Sequence, residues 1–265
     1  MTTAVPGPRR RRRGVGEVWP PVAFGVAALL LWELVVRATG VPAFLLPAPS
    51  AIAAQVGTAF STILATAAVT GGNALVGLVV GFVLGVGLAL LAARSRVVSE
   101  LATPLVSAAA AIPIVALAPV FTTMFGSTTE LPRRLVVTVV VVVPVFVSTA
   151  RGLAQVAPVH ADLMTALAAT PAQLSRFVRL PGAVPHIMTG LRLAAPASVI
   201  AAIVAEYFGG LQNGLGSRIT SAAANTAYAR AWAFVVASIV VGLLFYLAGL
   251  LAERIVTRTP TRRQP

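Results

Sequence analysis

Apolar residues along this chain come in long runs, separated by short polar or proline-rich breaks. The runs cover about Trp19 to Val36, Ala67 to Ala93, Leu101 to Phe125, Leu135 to Ala150, Gly190 to Phe208 and Ala231 to Ala252. Each reads as a helix crossing a bilayer, so the expected fold is all-α and polytopic, with about six transmembrane helices. Val139 to Val143 are five consecutive valines, a pattern that also fits a buried strand. The run extends too far for one strand and its neighbours are spans, so helix is favoured, with a kink at Pro144. The third run carries Pro104, Pro113 and Pro119, which a span tolerates where neighbours or cavity water satisfy the freed carbonyls. Between the first two runs, Phe44 to Ser50 holds two prolines and an N-capping serine. That predicts a break, then a mildly amphipathic helix over Ala51 to about Leu64 at the membrane surface.

The stretch from Ala161 to Pro185 lies between runs and still looks ordered. It reads as two short helices joined by a turn. The first covers about Val159 to Ala169 and the second Pro171 to about Val178. Thr170 is the expected N-cap, Pro171 suits the first helical position, and Gln173 completes a T-x-x-Q capping box. With the cap setting the turn, Ala168 needs no positive φ. Leu180-Pro181 is expected to stop the second helix, because proline disfavours helix for its predecessor.

Composition narrows the class. The chain has 265 residues, is 58% hydrophobic and only 10% charged, which excludes an ordinary soluble domain. Net charge is +13, and every basic residue is arginine. In a soluble protein this balance would point to nucleic acid. Here the arginines sit between apolar runs, so no nucleic-acid partner is expected and topology explains them. With the amino terminus inside, 15 arginines fall inside (Arg9 to Arg13, Arg94, Arg96, Arg151, Arg176, Arg179, Arg192, Arg254, Arg258, Arg262 and Arg263). Five fall outside: Arg37, Arg133, Arg134, Arg218 and Arg230. That bias predicts cytoplasmic termini and a cytoplasmic Asp162 to Pro181. The basic residues 1–18 read as a topology-anchoring tail, residues 19–256 as one membrane domain with the loop at about 159–185, and residues 257–265 as a second basic tail. No small-residue cleavage site follows the first run, and Trp32-Glu33 interrupts it, so a cleaved signal peptide is not expected.

Several motifs together resemble the inner-membrane permeases of ABC importers, over roughly residues 44–256. In that family the cytoplasmic loop reads E-A-A, a glycine four residues later, then I-x-L-P. Aligned on Leu180-Pro181, Asp162 takes the acidic position, Leu163 and Met164 the alanines, Ala168 the glycine and Val178 the isoleucine. The stretch Ala111 to Gly126 resembles the family's I-P-x-x-A-L-x-P-L…F-G, and V-A-E-Y-F-G-G-L-Q-N-G-L-G, ending at Gly216, resembles its V-A-E…G-L-G signature. L-P-A-P-S at Leu46 to Ser50 is similar to the sulfonate, nitrate and taurine type. Departures exist: Asn73 and Ala110 stand where relatives commonly carry arginine.

The resemblance implies a type I ABC importer-like permease in a bacterial inner membrane. It also implies two cytoplasmic ABC ATPase subunits, a second permease copy and an extracytoplasmic solute-binding protein as partners. It assigns ATPase coupling to Asp162, Leu163, Leu167, Ala168, Leu174, Phe177, Leu180 and Pro181. The implied solute is small, of the sulfonate, nitrate, taurine or thiamine-precursor kind.

Other candidates come from spacing. Gly77, Gly81 and Gly85 recur every four residues, which serves close helix packing or a substrate path along the same groove. Pro113 and Pro119 belong with them as candidates for packing or the path. Glu206, at a span end, suits either a hydrogen bond to a partner helix or a gating role. No catalytic residue, cofactor or metal site is expected. A P-loop needs a lysine the chain lacks, and Gly209, Gly210, Gly214 and Gly216 read as an ordinary loop. There is no cysteine, and His160 and His186 lie 26 residues apart in the proposed cytoplasmic loop, as solvated or capping residues. The alternatives are an autonomous secondary transporter or channel, which predicts buried mid-span ionisable residues and an internal repeat, and a membrane scaffold, which needs no coupling loop.

Overall fold

The computed structural model describes residues 19–257. The predicted tails with Arg9 to Arg13 and with Arg258, Arg262 and Arg263 lie outside the described residues. In order, the helices are α1 (Trp19–Thr39), α2 (Pro49–Thr58), α3 (Phe60–Arg94), α4 (Arg96–Ala111), α5 (Ile114–Phe125) and α6 (Leu131–Ala154). Then come α7 (Pro158–Ala166), α8 (Pro171–Leu174), a π turn (Ser175–Arg179), α9 (Leu180–Tyr207), α10 (Leu215–Ala224) and α11 (Tyr228–Thr257). Five of these segments are long and apolar enough to cross a membrane singly: α1, α3, α6, the run from Pro171 to Tyr207, and α11. The sixth candidate is the pair α4–α5, bent by 98°.

Helix direction shows that the bent pair is a crossing. Successive glycines of α3 meet successive valines of α6 in the same order: Gly77 faces Val137, Gly81 faces Val141 and Gly85 faces Val145. The two helices therefore run parallel, and the chain must return between them. Pro113 causes the bend: it has no N–H to donate, and Ile112 before it is held extended at φ −70°, ψ 123°. Pro104 and Pro119 stay inside α4 and α5.

Three expectations are corrected. The surface helix ends at Thr58, not Leu64, and α3 starts at Phe60, seven residues before the predicted Ala67. Only a local departure at Ala59 (φ −101°, ψ 12°) separates them. Residues 60–66 hold no breaker; Ile63 and Thr66 are buried, and the Thr66 hydroxyl donates back to Thr62 at 2.8 Å. Leu180-Pro181 does not stop the second loop helix. The π turn precedes Pro181, and helix then continues to Tyr207. The wider turn accommodates the ring and the missing donor. Ala168, finally, does adopt a positive φ of 50°.

The bundle centre explains two sequence features at once. Val136, Val137, Val141 and Val145 are fully buried, so the valine run is a helix whose β-branched row seats in the glycine row of α3. Gly190 of α9 meets Val145 and Ser148 on α6, and Gly249 of α11 meets Arg192 and Ala195 on α9. By contrast α1 buries only Val36; it is held by an edge-to-face contact of Trp32 with Trp232 (5.8 Å) and by Glu33, which accepts from the Ser50 amide (3.0 Å) and hydroxyl (2.8 Å). Leu29, Leu30, Leu31 and Leu34 remain exposed for lipid.

Candidate functional site

At one end of the bundle, α7, the turn, α8 and the π turn project the predicted coupling residues. The capping box is present: Thr170 N–H donates to Gln173 Oε1 (2.8 Å), and the Gln173 amide donates to Thr170 Oγ1 (3.3 Å). Leu163, Leu167 and Phe177 are 56%, 67% and 64% exposed, so these short turns present bare apolar surface. Asp162, Ala168, Leu180 and Pro181 are exposed as well, and Leu174 is half-buried. Arg176 lies over the Phe177 ring at 5.8 Å. His160 is exposed beside them, but His186 is not in this loop. It sits inside α9, half-buried, where its Cβ fills the space that a Cβ on Gly152 would need.

Ala168 occupies the left-handed backbone region, which costs a non-glycine residue about 1–2 kcal/mol. The cap orders α8 but does not relieve the turn. Ala168→Gly is therefore expected to leave the thermal unfolding midpoint unchanged or slightly raised, and Ala168→Val to lower it clearly. A lower midpoint for the glycine variant would show that the turn is unstrained.

The other end carries a polar network that the sequence did not announce. Glu130, just before α6, accepts from Asn73 (2.7 Å), Asn213 (2.7 Å) and Arg133 (2.9 Å). Arg133 is itself buried and also donates to Asn213 Oδ1 (2.7 Å) and the Leu211 carbonyl, while Arg134 donates to Asn73 Oδ1 (3.1 Å). Burial opposes the charged form of Glu130, but the bonds from Asn213 and Asn73 and the Arg133 charge outweigh it and hold the carboxyl below its ordinary range. Asn73 thus ties α3 to the start of α6. A cue was present in the sequence: two adjacent arginines close after Glu130 at the head of an apolar run.

Beside this network Glu206 is fully buried. One carboxylate oxygen accepts from Thr70 Oγ1 on α3 (2.9 Å) and from the Gly216 amide in α10 (3.0 Å). Thr70 Oγ1 in turn accepts from the Leu215 amide (2.9 Å). The second oxygen, Oε1, is buried without a partner. Gly214 and Gly216 are therefore not ordinary loop residues: Gly214 caps α10, Gly216 lies in its first turn, and both are pressed against Glu206. The buried ionisable groups here, Glu206 and Arg133, lie near helix ends rather than in mid-span, and they lock α3, α9, α10 and the 208–214 loop together. Gly77, Gly81 and Gly85 form the α3–α6 seam, whereas Pro113 and Pro119 are exposed on the bent pair.

The chain is similar to known proteins in both sequence and shape. The family described as "Binding-protein-dependent transport system inner membrane component" matches residues 81–259. The formylaminopyrimidine transport permease protein ThiX of Halalkalibacterium halodurans is 33% identical over 74% of this chain and 78% of its own length. A probable ABC transporter permease protein of Haemophilus influenzae is 31% identical over 71% of this chain and 76% of its own. The riboflavin transport system permease protein RibX of Chloroflexus aurantiacus is 28% identical over 76% of each chain. Among solved structures, a chain of an amino acid ABC transporter superposes with a TM-score of 0.65 at 15% identity, covering 76% of this chain and 96% of that one. A chain of the inward-facing MetNI methionine ABC transporter gives 0.61 at 21%, covering 75% and 98%. The all-α polytopic fold is thus one it shares with chains of ABC transporters, and the chain belongs to the family of inner-membrane components of binding-protein-dependent transport systems.

Proposed function

We propose that this protein forms the solute path of an importer and couples it to ATP hydrolysis in separate subunits through Asp162 to Pro181. The observation that carries this reading is the exposed apolar surface of Leu163, Leu167 and Phe177 on short, capped helices continuous with a span. Such a surface needs a protein partner, and its continuity with α9 lets a partner's movement reach the bundle centre. The arginine bias of 15 to 5 supports a cytoplasmic position for it, with both termini inside. Two cytoplasmic ATPase subunits, a second copy of this chain and an extracytoplasmic solute-binding protein complete the assembly in a bacterial inner membrane. Residues 19–256 act as one permease domain between two basic tails. Hydrolysis belongs to the ATPase, since the chain has no lysine for a P-loop.

For the solute, relatives that carry transport names for a formylaminopyrimidine and for riboflavin favour a nitrogen heterocycle of the thiamine-precursor or riboflavin kind. The sulfonate, nitrate and taurine class rests on L-P-A-P-S alone and ranks behind it.

The test combines accessibility and coupling. A cysteine at Gln212 should react with an impermeant reagent from outside, and one at Gln173 should not. Ala168→Arg and Leu167→Asp should insert normally, lose most ATPase co-purification and abolish uptake. Normal co-purification and uptake in both variants would remove the coupling assignment, and reversed labelling the orientation.

A further inference from the structure

Two cavities open side by side where α3, α4 and α6 meet the π turn. One, of about 310 Å³, is lined by Gly87, Leu90, Leu91, Arg94, Ser175 and Arg179, among others. The second, of about 270 Å³, includes Ala89, Ser99, Phe146 and Ala150. Ala93, Leu153 and Arg179 belong to both, so the Arg179 side chain stands at their junction. Its Nε is buried with no hydrogen-bond partner. Arg94, at the end of α3, lines the larger cavity, and among the described residues neither cavity has a carboxylate in its wall. Two arginines therefore line a mainly leucine, glycine and alanine cleft, with Ser175 in the wall of one cavity and Ser99 in that of the other.

We propose that these joined cavities bind the headgroup phosphate of an anionic phospholipid, with Arg94 and Arg179 on the phosphate and the Gly87–Leu91 face of α3 against the upper acyl chain. The chemistry of the wall decides the ligand. Two arginines without a counter-carboxylate in the wall select an oxyanion, and the Arg179 Nε is a buried donor with no partner. The apolar remainder excludes a fully hydrated anion and matches a molecule that is charged at one end and hydrocarbon at the other. Basic pockets between membrane helices bind anionic headgroups on this basis. The site also lies at the π turn, the element that joins the loop helices to α9. A bound headgroup would tie that turn to α3 and α6, so lipid charge would tune the rigidity of the link. Binding itself depends neither on the coupling role nor on the orientation proposed above; only this consequence for transport rests on that reading.

The experiment uses the full chain in nanodiscs. Lipid retained after mild detergent exchange is counted by native mass spectrometry from discs of equal phosphatidylglycerol and phosphatidylcholine. The unfolding midpoint is then followed as phosphatidylglycerol, or inorganic phosphate, is titrated into phosphatidylcholine discs. The wild type should retain phosphatidylglycerol selectively and gain thermal stability from it. Arg94→Gln and Arg179→Gln should each weaken the apparent affinity about fivefold, and the double variant should lose the selectivity. Arg179→Lys should keep most of it, and Arg218→Gln, at the opposite end, all of it. Equal retention of the two lipids by the wild type, or undiminished selectivity in the double variant, would overturn the proposal. A stabilisation by inorganic phosphate equal to that by phosphatidylglycerol would make this a free-anion site and remove the lipid assignment. Failure of the coupling variants with intact lipid selectivity would leave the site standing without the coupling reading.

Discussion

Alanine at Gly77, Gly81 or Gly85 is expected to deplete folded protein from the membrane, while alanine at Gly72 or Gly242 is expected to be silent. All five are helical glycines in apolar spans, so propensity and hydropathy cannot separate them. Space does. A Cβ at Gly77 would lie 2.4 Å from Val137 Cβ and 3.0 Å from the Arg134 carbonyl. At Gly81 the nearest atoms are Val141 Cβ at 2.7 Å and the Thr138 carbonyl at 2.9 Å; at Gly85 they are Val145 Cβ at 2.9 Å and the Val142 carbonyl at 3.0 Å. At Gly72 and Gly242 nothing stands within 4 Å. Valine in a helix has one strongly preferred rotamer, so it cannot swing aside, and the carbonyls belong to the α6 backbone. The helices must separate. Overpacking of this kind costs about 1–3 kcal/mol per added methyl, graded here from Gly77 down to Gly85. Gly81→Leu should be worse than Gly81→Ala. Folded yield by fluorescence-detected size exclusion and thermal midpoint would check this. Equal behaviour of all five alanine variants would mean that α3 and α6 are not in contact along this seam.

The seam also shows what the sequence could and could not reveal. The glycine spacing and the valine run were both visible, and either alone was ambiguous: packing or path for the glycines, helix or strand for the valines. Their pairing is a tertiary fact, made across an intervening bent span. The proline positions were equally visible, but their outcomes differ with context. Pro113 breaks its span because Ile112 is forced extended, whereas Pro181 is absorbed by a π turn, a backbone adjustment with no sequence signature. Ala168 misled for a related reason. The capping box at Thr170 was legible and real, but it governs the residues after the turn, and the chain still needs a left-handed residue to enter it. Exposure of Leu163, Leu167 and Phe177 followed from their position between spans. Hidden from sequence reasoning were the long-range polar pairs, Asn73 with Glu130 and Thr70 with Glu206, separated by 57 and 136 residues. Single polar residues in apolar runs carry no partner information by themselves.

The V-A-E…G-L-G signature has a physical reading in that last pair, and it predicts a specific pattern of epistasis. Gly214→Ala and Gly216→Ala should each be severely damaging, but only the first should be relieved by shortening Glu206. A Cβ at Gly214 would lie 2.2 Å from Glu206 Cδ and 2.3 Å from each carboxylate oxygen, all atoms at the far end of one side chain. A Cβ at Gly216 would lie 2.3 Å from the Ile203 carbonyl, which is backbone of α9 and cannot withdraw. Glu206→Ala alone is costly for another reason. It leaves the Gly216 amide and the Thr70 hydroxyl without their buried acceptor, and it opens a void at the α9–α10 junction. Orphaned buried donors cost about 1–3 kcal/mol each, so a loss of about 3 kcal/mol is expected. Once Glu206 is short, however, the methyl added at Gly214 enters vacant space. The double variant Glu206→Ala/Gly214→Ala should then be no less stable than Glu206→Ala, a coupling of about the full Gly214→Ala penalty. Glu206→Ala/Gly216→Ala should show nearly additive losses, since the backbone clash persists. Thermal midpoints of the single and double variants in the same lipid decide it. Additivity in both pairs would mean that the carboxylate does not occupy the space between the two glycines, and the glycines would then need another explanation.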